Sequence, residues 1–101
     1  MRAQPYRNTV KRGESFELAL HVRNFRARPQ THRVEIHTPP GLVAEPAVLE
    51  GKLDSETRRA FPLRLRATAD AKPGVHIVAL DITRDGKRFG ELFDFVVEVV
   101  P

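Results

Sequence analysis

The sequence predicts an all-β fold, a sandwich of about seven antiparallel strands, and three observations lead to this prediction. Apolar and polar residues alternate along several short segments, which is the period of a strand with one buried face. Turn-forming residues separate these segments at intervals of about 8–12 residues. No segment repeats its apolar residues at the helical period of about 3.6, so a helical interpretation fails throughout the chain.

Three segments show the alternation most clearly. They cover residues 15–23, 31–38 and 57–67. Pro62 falls on the outward set of the third segment, where an edge strand or a bulge tolerates the missing amide hydrogen. The residues predicted to point inward are Phe16, Leu18, Leu20, Val22, Val34, Ile36, Phe61, Leu63 and Leu65.

The last third of the chain predicts a long hairpin. Residues 75–84 and 88–99 form two extended apolar segments. Asp85 and Gly86 join them, and this dipeptide is favoured in two-residue hairpin turns because both positions must accept a positive φ. The two segments are therefore predicted to pair with each other.

Weaker signals complete the predicted strand set. Residues 42–44 and 47–49 predict two short strands on either side of Pro46. This number and spacing of strands favours an immunoglobulin-like or fibronectin III-like β-sandwich, with an up-and-down barrel as the alternative. Loops or turns are predicted at 24–30, 51–56 and 70–74.

Composition limits the range of functions. The length of 101 residues is usual for one domain, which we assign to residues 1–101. Cysteine is absent, which excludes disulfides, thiolate metal sites and cysteine nucleophiles. The net charge of +4 permits polyanion binding without requiring it. No segment approaches the about 20 apolar residues of a membrane-spanning helix, so we expect no membrane insertion.

Four pieces of sequence carry a family resemblance. They are residues 13–16 with 22–24 around the first clear strand, 38–42 (Thr-Pro-Pro-Gly-Leu), 73–76 (Pro-Gly-Val-His) and 95–99 (Phe-Val-Val-Glu-Val). In their order and spacing, these pieces resemble the NEW3-type (alpha-galactosidase-associated) accessory domains of bacterial hydrolases and surface proteins. The resemblance covers most of the chain.

The resemblance implies a module without chemistry of its own, at the C-terminal end of a larger bacterial protein. Where that protein carries a signal peptide, the module would lie in the cell envelope or outside the cell. Family members often have an aromatic residue and a tyrosine where this chain has Leu42 and His76. We expect His76 to replace the tyrosine by donating a ring N–H to a backbone carbonyl.

No arrangement of residues predicts an enzyme, a cofactor or a metal site. The sequence contains no serine triad and no glycine-rich phosphate loop. His21 and His37 belong to strands of opposite sheets, and the histidines lack the spacing of zinc ligands. The acidic residues of the predicted hairpin lie beside basic ones, so ion pairs are expected in place of an acid–base pair. The acidic residues are Asp81, Asp85, Glu91 and Asp94, and the basic ones are Arg84, Lys87 and Arg88.

The two hairpin segments are apolar on both faces. The set predicted to face the core is His76, Val78, Leu80, Ile82, Phe89, Phe93, Phe95, Val97 and Val99. A strand that is apolar on both faces is usually buried on both. The opposite set therefore predicts a docking face for the parent protein's catalytic domain or for a second copy in a homodimer. Its members are Val75, Ile77, Ala79, Leu92 and Val96. They lie on the outer face of the sheet formed by residues 31–38, 75–84 and 88–99. The alternatives are a bulge that changes the exposed face, or arginine stems that cover it.

A second hypothesis concerns a basic sheet face. Arg23, Arg58, Arg64 and Arg66 are predicted to share it, and such a face attracts acidic polysaccharide or another polyanion. Phe16 and Phe61 are predicted to be core, which leaves no aromatic side chain there for stacking. We therefore expect no specific nucleic-acid recognition.

Overall fold

The computed structural model describes all 101 residues and contains nine strands in two sheets. The strands are β1 (Arg2–Gln4), β2 (Arg7–Lys11), β3 (Ser15–Arg23), β4 (Gln30–His37), β5 (Leu42–Glu45), β6 (Val48–Leu53), β7 (Arg58–Ala67), β8 (Gly74–Arg84) and β9 (Lys87–Val100). One sheet has four strands in the order β1-β3-β7-β5, and the other has five in the order β2-β9-β8-β4-β6. The predicted β-sandwich is confirmed.

The strand count and one pairing differ from the prediction. The N-terminal segment supplies two further strands, of which β1 joins the four-stranded sheet and β2 joins the five-stranded sheet. The β2–β9 pair is parallel, whereas all other pairs are antiparallel. Strand β1 buries only Ala3, and β2 buries only Val10. Neither segment therefore shows an alternation of apolar and polar residues in the sequence.

The core lies between the inner faces of the two sheets. The residues predicted to point inward from the three alternating segments are buried there, with Phe16 half-buried against the others. The hairpin contributes several fully buried side chains to this core, among them Val78, Leu80, Ile82 and Phe95. Burial of these alternating faces is the main stabilising term of such a sandwich.

The predicted turn at residues 51–56 is wrong in its first half. Strand β6 continues to Leu53, which is buried against the core. Gly51 suggested a turn, but it is a packing glycine. A Cβ on Gly51 would lie 3.0 Å from the nearest atom of the Phe61 ring and 2.9 Å from an Arg59 nitrogen. The absence of a side chain therefore leaves room for a core aromatic ring.

Two irregularities interrupt the β8–β9 ladder. The turn residues Asp85 and Gly86 both have positive φ, as predicted, with values of 48° and 78°. Beyond the turn, the register shifts twice, and these shifts leave Phe89 and Leu92 without partners on β8. Phe89, predicted to be core, is consequently 40% exposed. An extra residue at a bulge reverses the alternation, so the inward set of β9 begins only at Phe93.

Asn24 fixes the end of the sandwich at which β3 leaves the sheet. Its side chain is fully buried. The amide nitrogen donates to the carbonyl oxygens of Arg28, Leu53 and Asp54 at 2.7, 3.2 and 3.1 Å. The amide oxygen accepts from the backbone N–H of Arg26 at 2.9 Å. One side chain therefore ties the β3–β4 loop to the β6–β7 turn and satisfies backbone groups that water does not reach.

Replacement of this amide is expected to destabilise the fold. The change Asn24→Ala leaves several buried backbone groups unpaired, and we expect it to lower the free energy of unfolding by about 3 kcal/mol. Asn8→Ala is the matched control, since the Asn8 amide has one clear bond, to Pro5 O at 3.0 Å; we expect a loss below about 1 kcal/mol there. Urea denaturation followed by circular dichroism measures both, and equal losses would contradict the role of Asn24.

Candidate interaction surfaces

The outer face of the five-stranded sheet carries an exposed apolar strip on β8. Val75 and Ile77 are 66% and 62% exposed and occupy successive outward positions, and Ala79 follows them half-buried. Strand β8 is the third of the five strands. The pairing with β4 begins only at Ala79, however, so at Val75 and Ile77 the sole sheet neighbour of β8 is β9. We call Val75, Ile77 and Ala79 the β8 strip.

Val96 belongs to this face but offers little surface. It is the register partner of Ile77 on β9 and is only 9% exposed. Strand β2 flanks β9 on its other side, where Arg7 is the register partner of Val96 and the Val96 N–H donates to Tyr6 O at 2.8 Å. A residue in a central strand is covered by neighbours on both sides. Val96 therefore adds little to the β8 strip, whose large accessible side chains are Val75 and Ile77.

Leu92 lies apart from the β8 strip. It is 56% exposed, but it is the unpaired residue of a bulge, four positions along β9 from Val96. Four positions correspond to roughly 13 Å in an extended strand. Leu92 lines a separate cavity of about 210 Å³ together with Met1, Ala3 and Phe93. The structure thus divides the predicted docking face into two places.

Charged residues of both signs border the β8 strip. On the β9 side, Asp94 and Glu98 are the register partners of Ala79 and Val75. Beyond them, on β2, Arg7 and Lys11 point to the same side and are exposed. The surface therefore combines an apolar centre with an acidic row and a basic edge.

A cluster of ionisable groups that the sequence prediction missed lies beyond the Ala79 end of the strip. The His37 Nδ1 atom lies 3.0 Å from Glu91 Oε2, and its Nε2 atom lies 3.3 Å from Glu35 Oε2. Asp81 lies 4.0 Å from the same Nε2 atom. His37 and Glu35 belong to β4, whereas Asp81 and Glu91 are partners on β8 and β9. Only the pairing of three strands brings these residues together.

Glu35, His37 and Asp81 offer ligand atoms within 4.8 Å of one another, a separation that a metal ion could bridge. Two arginines already neutralise the carboxylates. Arg88 donates to both oxygens of the buried Asp81, and the hydrogen bond from Arg88 holds the pKa of Asp81 below its usual value. Arg33 pairs with Glu35 at 3.0 Å. The arrangement is that of a closed ion-pair network.

The acidic residues of the hairpin have separate partners. Asp81 forms the expected cross-strand pair with Arg88. Asp85 instead accepts from the backbone N–H of Thr31 at 2.9 Å, and Asp94 accepts from the Tyr6 hydroxyl at 2.6 Å. The expectation of ion pairing is thus met by Asp81 and, through His37, by Glu91, but Asp85 and Asp94 bind neutral donors.

The basic face predicted on the other sheet separates into two ends. Arg23 and Arg58 are direct register partners at one end. Arg64 and Arg66 lie at the other end, where Arg64 donates to the Ser15 hydroxyl at 2.9 Å and Arg66 lies 3.7 Å from Glu45. Ala19, Ala60 and Pro62 separate the two ends. No carboxylate forms an ion pair with Arg23 or Arg58.

Two further histidine predictions are met. His21 lies on β3 and His37 on β4, in opposite sheets. His76 Nε2 lies 2.7 Å from the carbonyl oxygen of Lys72. Since a carbonyl only accepts, the ring nitrogen is the donor, which is the contact expected for a replacement of the family tyrosine.

The titration of His37 provides a test of the ionisable cluster. Hydrogen bonds to Glu91 and then Glu35 raise the pKa of His37 above its ordinary value. Protonated His37 therefore favours the folded state, and its contribution is fully present below pH about 6.5 and is lost as the pH rises through the folded-state pKa. NMR titration of the ring protons should show a pKa above that of a model peptide, and Glu91→Gln should lower it. An unchanged pKa in this variant would contradict the contact.

No family model and no curated protein matches this chain, so the resemblance to NEW3-type domains stays a prediction. The structure contains no helix long and apolar enough to cross a membrane.

Solved structures share the fold at low sequence identity. A family 123 glycoside hydrolase from Clostridium perfringens matches 94% of the chain with a TM-score of 0.65 and 10% identity. The chain spans only 23% of the length of that hydrolase. WR4, an MSP family member of C. elegans, matches 98% of this chain with 94% of its own, at a TM-score of 0.55 and 10% identity. The CupB2 chaperone of Pseudomonas aeruginosa matches 99% of this chain with 55% of its own, at a TM-score of 0.53 and 21% identity. At these identities the matches show the β-sandwich fold.

Proposed function

We propose that this chain is a non-catalytic accessory module of the NEW3 type that associates through the outer face of its five-stranded sheet. The observation that carries the proposal is the exposure of Val75 and Ile77 at successive outward positions of β8, where only β9 flanks the strand. Contiguous exposed apolar side chains often mark an interaction surface. A partner that covers the β8 strip would remove this apolar surface from water.

An accessory role agrees with the range of proteins that contain this fold. In the glycoside hydrolase of Clostridium perfringens, a domain of this shape makes up about a quarter of the chain, as the 23% coverage indicates. The match to a chaperone of Pseudomonas aeruginosa supports a role in protein contacts. Fold alone does not determine function, so the proposal depends on the exposed β8 strip and not on these matches.

The occupant that we propose for the strip is a second copy of the chain. The strip has Asp94 and Glu98 next to it, with Arg7 and Lys11 beyond. A two-fold axis brings the same patch of two copies together, and a border with both signs of charge can then pair with itself. The other occupant is the catalytic domain of a larger protein, which the same face would also fit.

Oligomeric mass tests this proposal. Sedimentation at increasing concentration should show the wild type moving from the monomer mass of 11.4 kDa toward a dimer. Ile77→Asp should stay monomeric, because a carboxylate at the centre of the interface would be buried without a partner. Ala60→Asp adds the same charge to an exposed outward position of the other sheet and should dimerise like the wild type.

Three outcomes would contradict this assignment. A wild type that stays monomeric at its highest soluble concentration rules out self-association. Loss of dimer in both variants shows an effect of net charge. A circular dichroism spectrum that shows Ile77→Asp to be unfolded contradicts the outward orientation of Ile77.

A further inference from the structure

A basic and aromatic cavity lies at the end of the sandwich opposite the β8 strip. Its volume is about 380 Å³, and its lining residues are Arg23, Phe25, Arg26, Gln30, Arg84 and Phe89. The lining thus contains three arginines, two phenylalanines and an amide, and no carboxylate. A concave site of this size suits a small ligand or one unit of a polymer.

Both sheets and the β3–β4 loop build this cavity. Arg23 ends β3 in the four-stranded sheet, and Arg84 ends β8 in the five-stranded sheet. Phe25 and Arg26 belong to the β3–β4 loop, which Asn24 holds through its bond to the Arg26 N–H. The bulge in β9 turns Phe89 away from the core. The ends of β3 and β8 and the buried Asn24 side chain therefore fix the position of the cavity.

The arginines of the cavity have no carboxylate partners. Arg33, Arg66 and Arg88 elsewhere in the chain each form an ion pair with a carboxylate, whereas Arg23, Arg26 and Arg84 form none. Asp85 follows Arg84 in sequence, but its carboxylate accepts from Thr31.

The Nε atom of Arg84 is buried and has no hydrogen-bond partner. Buried polar groups of folded proteins are normally paired. The terminal nitrogens of Arg84 have no hydrogen-bond partner either, but they are not buried, so they are the donors that a ligand in the cavity can reach.

Positive charge is concentrated at this end of the molecule. His32, the register partner of Arg84, is buried with neither ring nitrogen hydrogen-bonded. Two pKa values are lowered here, that of His32 and that of the Met1 amino group. In both cases burial is the larger cause and the positive charge of Arg84 is the next. Arg23 also lines an adjoining cavity of about 210 Å³ with Arg2 and Arg58. Like charges on facing strand positions repel, so an anion bound here would relieve repulsion.

The phenylalanines add stacking surfaces to this basic site. The guanidinium carbon of Arg23 lies 4.8 Å from the ring centroid of Phe25, and that of Arg84 lies 5.5 Å from the ring centroid of Phe89. A stacked guanidinium keeps the N–H groups at its edge free for the paired oxygens of a phosphate. Phe25 is 74% exposed, which leaves ring surface for a planar ligand.

We propose that this cavity binds single-stranded nucleic acid, with phosphates held by Arg23, Arg26 and Arg84 and a base stacked on Phe25. Aromatic rings beside a basic groove are the usual means of binding single strands without sequence preference. An acidic polysaccharide would use the arginines, but it has no planar base for the exposed ring. The adjoining Arg2 and Arg58 continue the basic surface beyond one unit, which favours a polymer over a single nucleotide.

This site is independent of the proposed docking surface. Ile77 lies seven residues from Arg84 along β8, a separation of roughly 23 Å in an extended strand. Binding of nucleic acid and self-association can therefore be tested with separate variants.

Fluorescence anisotropy with a labelled oligothymidylate of about 12 nucleotides tests the proposal at low salt. We expect Phe25→Ala to weaken binding about tenfold through the lost stacking. We also expect Arg84→Ala to weaken binding about tenfold, and to reduce the slope of log affinity against log salt by about 0.7 through the loss of one phosphate contact. Arg26→Ala is the second charge variant, in case the partly buried Arg84 is needed for folding.

The matched control is Arg64→Ala, which removes the same charge from the other end of the four-stranded sheet. Compared at about 0.1 M salt, its affinity should fall less than about twofold, since a charge farther away than the Debye length of about 10 Å is largely screened. An equal loss in Arg64→Ala and Arg84→Ala would show attraction by net charge and overturn the proposal. An affinity unaffected by Phe25→Ala, together with equal or tighter binding of a sulfated polysaccharide, would show a general polyanion site. No binding at low salt would also overturn it.

Discussion

The pairing of β8 with β9 is the constraint on which both candidate surfaces depend. The turn at Asp85 and Gly86 fixes the start of the ladder, and two register shifts follow within a few residues. Because successive side chains point to opposite faces of a sheet, each shift changes which residues of β9 reach the core. Phe93 and Phe95 pack inward after the shifts, while Phe89 and Leu92 are left exposed. The same ladder brings Arg88 onto Asp81 and Glu91 onto His37.

The N-terminal strands decide how much of the outer face stays open. Strand β2 adds itself parallel to β9 and covers one side of Val96. Its outward residues Arg7 and Lys11 supply the basic edge beyond the acidic row of β9. Next to Val96, the exposed apolar surface is thereby limited to Val75 and Ile77 of β8, with charges of both signs along one side. A small apolar centre with a charged rim is a usual form for a contact between folded domains.

Charge is distributed unevenly over the molecule. Arg33, Arg64, Arg66 and Arg88, on the outer faces of the sheets, each meet a carboxylate or a hydroxyl. At the end organised by Asn24, Arg23 and Arg84 lie against aromatic rings and form no ion pair. Unpaired charge of one sign opposes folding. The hydrogen bonds of the buried Asn24 amide stabilise the backbone at this end.

The sequence by itself determined the features that depend on near neighbours along the chain. Alternation placed Leu18, Leu63 and Ile36 in the core, and the Asp-Gly dipeptide marked the hairpin turn. Both follow from local backbone geometry, which neighbouring residues set. The resemblance to NEW3-type domains indicated the contact of His76 with a backbone carbonyl, which the structure places on Lys72.

Only the tertiary structure decided the features that depend on distant pairing. Strands β1 and β2 bury one side chain each and exist because β3 and β9 offer them partners. The bulges at Phe89 and Leu92 leave no mark in the pattern, since an extra residue in a strand looks like any other apolar residue. The cluster of His37 with Asp81 and the cavity between Arg23 and Arg84 join residues far apart in sequence. The register of long-range strand pairs set these contacts, and no local sequence pattern encodes that register.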